Sequence, residues 1–292
     1  MKNYIFSFIT VLFFSIFFYQ CKEVDTPVII NPSQVSLFDT TYISSTAITE
    51  TPKNVLLEEF SGVKCSNCPK GNQKTKLFHS SYPSRITVLT VHNDFLASPY
   101  PNNVDLRCED ADILAAAPIG PVPSKPSTYI NRIKYPSFTY RVVDDIDSWE
   151  NFINAEMAMS SPINMVLEKI YVDVNERKFR YRVTLSFSEA MQNLSLGFAL
   201  SESEIIAEQL DGSTHIYDYE HEWVLRGFIT SVLGESLSEE IVANTVIIKE
   251  FEIDLDESDY NPNGDWKINN MEVVAFIRTN NEEILQSTKV EL

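Results

Sequence analysis

The chain has 292 residues, of which 44% are hydrophobic and 12% aromatic, and its formal net charge at pH 7 is −18. This hydrophobic content excludes an intrinsically disordered chain, and the acidic balance argues against nucleic acid as a partner. The length suits about two domains of roughly 100–200 residues each. The 8 glycines form no G-x-G-x-x-G pattern for cradling phosphates, and the sequence predicts no bound cofactor.

Residues 1–21 are predicted to be a lipoprotein signal segment rather than part of the fold. The apolar run Tyr4–Tyr19 is shorter than the roughly 20 residues that span a bilayer. It ends at Cys21, which resembles the lipidated first residue of a mature bacterial lipoprotein, although Gln20 is larger than the usual Gly, Ala or Ser. The alternative is an uncleaved signal anchor with an incidental cysteine. Both interpretations place the rest of the chain outside the cytoplasm, where disulfides persist.

Residues 22–53 are predicted to be a tether rich in Thr, Ser, Pro and Asn, with one strand at Thr40–Ile48. The charged stretch Lys22–Asp25 resembles the short export tags of lipoproteins that reach the cell surface in some Gram-negative bacteria. The expected location is therefore the cell envelope, as an outer-membrane lipoprotein at the periplasmic face or the cell surface. The expected partner there is the membrane itself, through the N-terminal lipid.

The stretch from Val55 to Pro69 organises the next predicted domain, residues 54–160. A β-like run at Val55–Phe60 leads through a Ser-Gly turn into Cys65-Ser-Asn-Cys68, and Lys70–Ser81 is predicted to be a helix. Strand, turn, C-x-x-C and helix together are typical of a thioredoxin-like redox motif. A cysteine at a helix start lies near free N–H groups and the positive end of the helix dipole. We therefore expect Cys65 to attack with a lowered pKa and Cys68 to resolve.

Glu59 lies six residues before Cys65, inside an otherwise apolar strand. A buried carboxylate is costly without a partner or a function. Thioredoxins keep a buried acid at this spacing, which suggests a proton relay to the second cysteine. The alternative is that Glu58 or Glu59 faces water from an edge position. Because neighbouring strand residues point to opposite faces, only one of the two is expected to face inward.

The remainder of this domain is predicted to contain a parallel strand at Arg85–His92, a helix at Asp105–Ala117, a strand at Ser127–Arg132 and a closing helix at Asp144–Met159. A proline directly before a strand resembles the cis-proline loop of the thioredoxin fold, so Pro126 is expected to be cis and to position the substrate. The alternative is a plain extended loop, since Pro121, Pro123 and Pro126 follow closely on one another.

Residues 161–292 are predicted to form a second domain made of strands. Apolar and polar residues alternate strictly from Phe179 to Phe187 and again from Glu250 to Leu255. Half-buried strands with polar turns between them favour an antiparallel β-sandwich, so the predicted fold is an α/β thioredoxin-like domain followed by an all-β, immunoglobulin-like sandwich. His215 and His221, with Asp218 and Glu220 nearby, suggest a metal site only weakly, because acidic loops produce such clusters by chance.

The motifs resemble those of a known family, the 28-kDa outer-membrane-protein-related lipoproteins. The resemblance is carried by four segments, which together extend over most of residues 54–292: Val55–Gly71, Pro126 with Asn131-Arg132, His221–Arg226, and Val273–Ile277 with Leu285-Gln286. It implies a lipid-anchored, outer-membrane-associated protein with a thioredoxin-like domain and a sandwich-like appendage. It leaves the activity open, because the biochemical role of the family is poorly defined.

Two functions therefore remain. The first is a thiol–disulfide oxidoreductase that acts on the thiols or disulfides of exported proteins through Cys65, Cys68, Glu59 and Pro126. The second is a binding or structural lipoprotein in which the Cys65–Cys68 disulfide only staples the turn. A zinc half-site is a distant third, because no second C-x-x-C or paired histidine follows at a useful spacing. Cys108 is predicted to lie outside the redox pair.

Overall fold

The computed structural model describes residues 38–173, 177–255 and 266–292, and the molecule is rich in β-structure with few helices. The strands are β1 Phe38–Ile43, β2 Thr51–Pro52, β3 Val55–Ser61, β4 Ile86–His92, β5 Ser127–Ile130, β6 Ser160–Ser161, β7 Ile163–Asp173, β8 Lys178–Phe187, β9 Met191–Gln192, β10 Leu194–Glu202, β11 Ile205–Asp211, β12 Thr214–His221, β13 Val224–Phe228, β14 Glu235–Ser236, β15 Glu240–Ile241, β16 Thr245–Asp254, β17 Met271–Thr279 and β18 Ile284–Glu291. The α-helices are α1 Cys68–Ser81, α2 Glu109–Leu114 and α3 Trp149–Met157. Short 3₁₀ turns occupy Phe95–Ala97, Ile146–Ser148 and Ile268–Asn270.

Strand β3 lies between β4 and β5 and leads directly into the cysteine pair. It runs parallel to β4 and antiparallel to β5, so the prediction of a parallel strand at Arg85–His92 is confirmed. Both faces of β3 are buried along its whole length. Alternate residues of β3 pack beneath α1 and α3 on one face and against α2 on the other.

The other two predicted helices are shorter in the structure than the sequence suggests. The helix expected at Asp105–Ala117 forms only over Glu109–Leu114 and stops before Pro118, which cannot continue it. The helix expected at Asp144–Met159 begins as a 3₁₀ turn at Ile146 and is α-helical from Trp149 to Met157.

One sheet contains strands from both predicted domains. Its eight strands follow the order β18-β17-β10-β13-β4-β3-β5, with β14 paired to β10. The junction is the parallel pair β13–β4, where the Thr90 N–H donates to the carbonyl oxygen of Trp223 at 2.7 Å. This sheet therefore combines strands from both sides of the boundary predicted at residues 160–161.

The core beneath this sheet is also shared. Leu56, Phe60 and Tyr129 of the first half pack with Phe228 and Phe276 of the second half in one buried cluster. The Phe60 and Tyr129 rings meet edge to face with centroids 4.9 Å apart. Burial of this surface couples the stability of the two halves.

The second sheet contains β1, β16, β8 and β7 in that order and faces β10 and β17 of the large sheet. Along β8, Phe179, Tyr181, Val183, Leu185 and Phe187 are buried, which confirms the predicted alternation. The N-terminal strand predicted at Thr40–Ile48 forms at Phe38–Ile43, where it pairs with β16 as an edge strand.

Strands β11 and β12 form a hairpin that pairs with neither of these two sheets. The sequence analysis did not predict it, because polar residues such as Glu208 and Gln209 are interspersed along β11. The Asp211-Gly212 turn, with Gly212 at φ +59°, is the sequence signal that could have identified it.

Candidate functional site

The Cys65-Ser-Asn-Cys68 turn connects β3 to α1 and contains a Cys65–Cys68 disulfide with a Cα–Cα distance of 5.4 Å. Its backbone is held by two hydrogen bonds, from the Cys65 N–H to the Gly62 carbonyl at 3.0 Å and from the Cys68 N–H to the Cys65 carbonyl at 3.2 Å. A side chain at position 62 would not fit, because a Cβ atom there would lie 2.7 Å from the Leu96 carbonyl oxygen. Glycine therefore lets the turn pack closely against the next loop.

Helix α1 begins at Cys68, two residues earlier than predicted and three residues after Cys65. The expectation that Cys65 starts the helix is thus wrong, and the helix dipole acts more directly on Cys68. Pro69 lies in the first helical turn, where its missing N–H would have had no helix partner anyway. Both cysteines are buried, with Cys65 5% exposed and Cys68 fully covered, so Cys65 is the more accessible of the two.

Glu59 is buried on the face of β3 that carries α1. Burial raises the pKa of its carboxyl to about 8, and the neighbouring Thr75 hydroxyl opposes this shift without cancelling it. The Asn72 amide is oriented so that its oxygen accepts from the Tyr219 hydroxyl. In this orientation its nitrogen donates to Glu59 Oε1 at 2.7 Å and to the Cys68 carbonyl at 3.3 Å. Asn72 therefore links the buried acid to the backbone of the second cysteine.

Glu58 is also buried, which corrects the expectation that only one of the two acids faces inward. It lies on the opposite face of β3, where Arg132 donates to its two carboxylate oxygens at 2.8 and 2.5 Å. Both side chains of this ion pair are fully covered. The expectation fails because the sheet is covered on both faces, so neither face of β3 is exposed to water.

The Lys125–Pro126 peptide bond is cis, as predicted, and Pro126 directly precedes β5. The Ala117–Pro118 bond is also cis, which the sequence analysis did not predict. A Cβ atom added to Gly71 would lie 2.8 Å from Glu59 Oε1 and 2.8 Å from Cβ of Pro126. The absence of a side chain at Gly71 thus brings the first turn of α1 against both the acid and the cis-proline.

The hairpin β11–β12 covers the cysteine turn, a contact that sequence reasoning missed. The Leu210 N–H donates to the Val63 carbonyl at 2.8 Å, and the Gly212 N–H donates to the Ser66 carbonyl at 2.9 Å. Between them, Gln209 Nε2 donates to the Cys65 carbonyl at 3.2 Å.

The suggested metal cluster on this hairpin is not assembled. His215 lies near its tip and contacts Glu208 and Tyr100, whereas His221 lies at its base and packs on His92 with ring centroids 5.6 Å apart. Burial lowers the pKa of His221 to about 4. Within the described ranges, no group of three or more His, Cys, Asp or Glu side chains is arranged to hold a metal ion.

The other two cysteines are apart from this turn or outside the described residues. Cys108 is a free thiol at the N-cap of α2, and burial raises its pKa to about 12. Cys21 and the predicted signal segment lie outside the described residues. Within residues 38–173, 177–255 and 266–292, none of the helices has the length and apolar character needed to cross a membrane.

Comparison with known proteins identifies a family and a shared fold. The family model described as "Outer membrane protein Omp28" matches residues 121–292. Among solved structures, HBP35 of Porphyromonas gingivalis superposes with a TM-score of 0.63 at 17% identity, covering 82% of this chain and 76% of that chain. A domain of the outer membrane lipoprotein Omp28 from the same organism has a TM-score of 0.31 at 16% identity, covering 45% of this chain and 88% of that chain. No curated protein matches this chain.

Proposed function

Because this chain belongs to the Omp28 outer membrane protein family, we propose that it is a lipoprotein of the outer membrane, anchored through Cys21. Family membership indicates the outer-membrane location, and the apolar segment ending at Cys21 supports the lipid anchor. We assign residues 54–160 to a thioredoxin-like domain and residues 161–292 to a sandwich-like domain. The order of strand, C-x-x-C, helix and cis-proline supports the first assignment, and the two facing sheets support the second.

We further propose that the Cys65–Cys68 pair exchanges thiols and disulfides with exported proteins. The observation that carries this proposal is the buried carboxyl of Glu59, whose pKa of about 8 leaves it protonated at pH 7 yet able to release its proton. A turn that was stapled only for stability would have no need of a buried acid without a cationic partner beneath it. Such an acid costs folding free energy and is typical of functional sites.

In the oxidising direction, a thiolate of the exported protein attacks Sγ of Cys65 and breaks the Cys65–Cys68 bond. Cys68 leaves as a thiolate and takes a proton from Glu59. A second thiolate of the exported protein then attacks the mixed disulfide, so that the exported protein gains a disulfide and the Cys65 and Cys68 sulfurs are reduced. The reverse sequence reduces an exported disulfide, with Glu59 accepting the Cys68 proton.

Pro126 is assigned to substrate positioning in this scheme. Its closeness to Gly71, in the first turn of α1 that begins at Cys68, supports this assignment. The backbone next to Pro126 is therefore within reach of a polypeptide whose sulfur approaches Cys65.

Trapping of mixed disulfides tests the proposal in cells. A Cys68→Ala variant lacks the resolving thiol and is expected to accumulate disulfide-linked complexes between Cys65 and exported proteins. A Cys65→Ala variant is the matched control and is expected to trap few. Equal trapping by both variants, or none by either, would contradict exchange through Cys65.

The alternative function is a non-catalytic binding or structural lipoprotein in which the disulfide staples the turn. The observation in its favour is that Cys65 is only 5% exposed beneath the hairpin β11–β12. In that case Cys65→Ala and Cys68→Ala are expected to lower stability equally, and neither would change the redox state of exported proteins.

A further inference from the structure

The hairpin β11–β12 occupies the backbone groups through which another chain would approach the cysteine turn. Its Leu210 and Gly212 N–H groups bond to the carbonyls of Val63 and Ser66, one on each side of Cys65. An extended polypeptide segment supplies N–H donors of the same kind, so it can compete with the hairpin for these carbonyls.

Gln209 is the central contact of the hairpin with the turn. Its side chain is fully buried, and Nε2 donates to the carbonyls of both Cys65 and Gly62 at 3.2 Å. Its Oε1 atom has no hydrogen-bond partner among the described residues. A buried carbonyl oxygen without a hydrogen-bond partner destabilises the closed position, which lowers the free energy needed to lift the hairpin.

The hairpin is also connected to the buried acid. The hydroxyl of Tyr219 lies 3.1 Å from the Asn72 amide oxygen, and the nitrogen of the same amide donates to Glu59. A movement of β12 that breaks the Tyr219 contact would therefore change the surroundings of Glu59 while it uncovers Cys65.

Apolar contacts hold the hairpin mainly at its base. There Ile205 packs with Val63, Leu106 and Val224 in a small buried cluster. Elsewhere on the hairpin, Ile206 at the base and Tyr217 along β12 are 53% and 75% exposed. The contacts nearer the tip are the hydrogen bonds of Gln209, Leu210 and Gly212 with the cysteine turn. Lifting the tip thus breaks mostly polar contacts, which water can replace, and such segments open locally at low free-energy cost.

We propose that the hairpin Ile205–His221 is a cover that leaves the Cys65–Cys68 turn before a protein thiol or disulfide reaches Cys65. Exchange is then limited to partners with an extended segment that displaces the hairpin. The choice of partners rests on the proposed exchange function, whereas the covering of Cys65 can be measured by thiol alkylation, which requires no exchange.

The test uses a Cys68→Ala background, in which Cys65 is a free thiol. Because Ile205 and His221 are paired across the hairpin, residues 206–220 can be replaced by a two-residue Asn-Gly turn. We expect alkylation of Cys65 by iodoacetamide, followed by site-resolved mass analysis, to become at least tenfold faster. An unchanged rate in a folded shortened variant would overturn the proposal.

Point variants keep the test decisive if the shortened chain fails to fold. Gln209→Ala is expected to accelerate Cys65 alkylation several-fold, and Tyr217→Ala, on the exposed side of the same hairpin, is the matched control that leaves the rate unchanged. Equal rates in the two variants would overturn the cover.

Failure of the cover and failure of the exchange function give different results. Faster labelling of Cys65 together with no exchange by any form of the protein supports the cover and contradicts the function. Exchange by the unaltered protein, together with a Cys65 labelling rate that does not depend on the hairpin, supports the exchange function and contradicts the cover.

Discussion

Glu58 and Glu59 are adjacent in sequence and buried on opposite faces of β3, and of the two only Glu58 has a cationic partner among the described residues, the guanidinium of Arg132. The two carboxyls therefore have different physical roles. Glu58 is a member of an ion pair in the core, whereas burial raises the pKa of Glu59 to about 8 and so keeps its carboxyl mainly protonated at pH 7. This difference leads to separate predictions for their amide variants.

Glu58→Gln is expected to destabilise the fold by about 3–5 kcal/mol, because it leaves the fully covered charge of Arg132 unpaired. Glu59→Gln replaces a carboxyl that at pH 7 is mainly neutral in the fold but ionised in the unfolded chain, so we expect no loss of stability there and a slower thiol–disulfide exchange. Urea unfolding at pH 7 measures both free energies. Equal destabilisation by the two variants would contradict this division of roles.

The pH dependence of stability provides a second test of Glu59. Between its ordinary pKa of 4.5 and its folded pKa of about 8, the folded protein holds a proton that the unfolded chain has released. The contribution of Glu59 is therefore fully present below about pH 4.5 and is lost as the pH rises towards 8. We expect wild-type stability to fall relative to Glu59→Gln by roughly 3 kcal/mol between about pH 5.5 and pH 8. A constant difference across this range, measured by urea unfolding, would show that Glu59 titrates normally.

Cys108 is expected to stay outside the redox chemistry. Burial raises its pKa to about 12, so little of the reactive thiolate forms in the folded protein. Cys108→Ala should leave the Cys65–Cys68 disulfide intact on mass analysis without reductant. Detection of Cys108 linked to Cys65 or Cys68 would indicate a relay of three thiols instead.

Cys21→Ser is expected to release the protein from membranes into the soluble fraction, because the proposed lipid attachment point is lost. Fractionation followed by N-terminal mass analysis measures this. The matched control is Cys108→Ala, which keeps the anchor and should remain with the membrane. A Cys21→Ser protein that stays membrane-bound with its full N-terminus would identify the segment as an uncleaved anchor.

Local sequence signals predicted much of this molecule. The apolar strand before the cysteines, the parallel strand β4 and the strict alternation along β8 are visible in neighbouring residues, and all of them form. The cis bond before Pro126 also forms, as predicted mainly from the resemblance to the cis-proline loop of the thioredoxin fold.

Features that depend on distant partners were not predictable in this way. The ion partner of Glu58 is 74 residues away, so the burial of both acids could not be inferred from the strand alone. The pairing of β4 with β13 joins segments on either side of the predicted boundary through a short contact. The hairpin contacts the cysteine turn through backbone carbonyls and one buried glutamine, and these contacts leave no hydrophobic pattern in the sequence.

The reduction potential of the Cys65–Cys68 pair is the most direct test of the proposed exchange. The full chain would be equilibrated in thiol–disulfide buffers of graded potential, and the oxidised fraction would be read by mass analysis after rapid alkylation. The Cys108→Ala variant, treated in the same way, lacks the Cys108 thiol, so its oxidised fraction reports the Cys65–Cys68 pair without a contribution from Cys108. We predict a potential between about −120 and −270 mV, the range of exchanging pairs. A value below about −300 mV would identify a structural bond and contradict the exchange function.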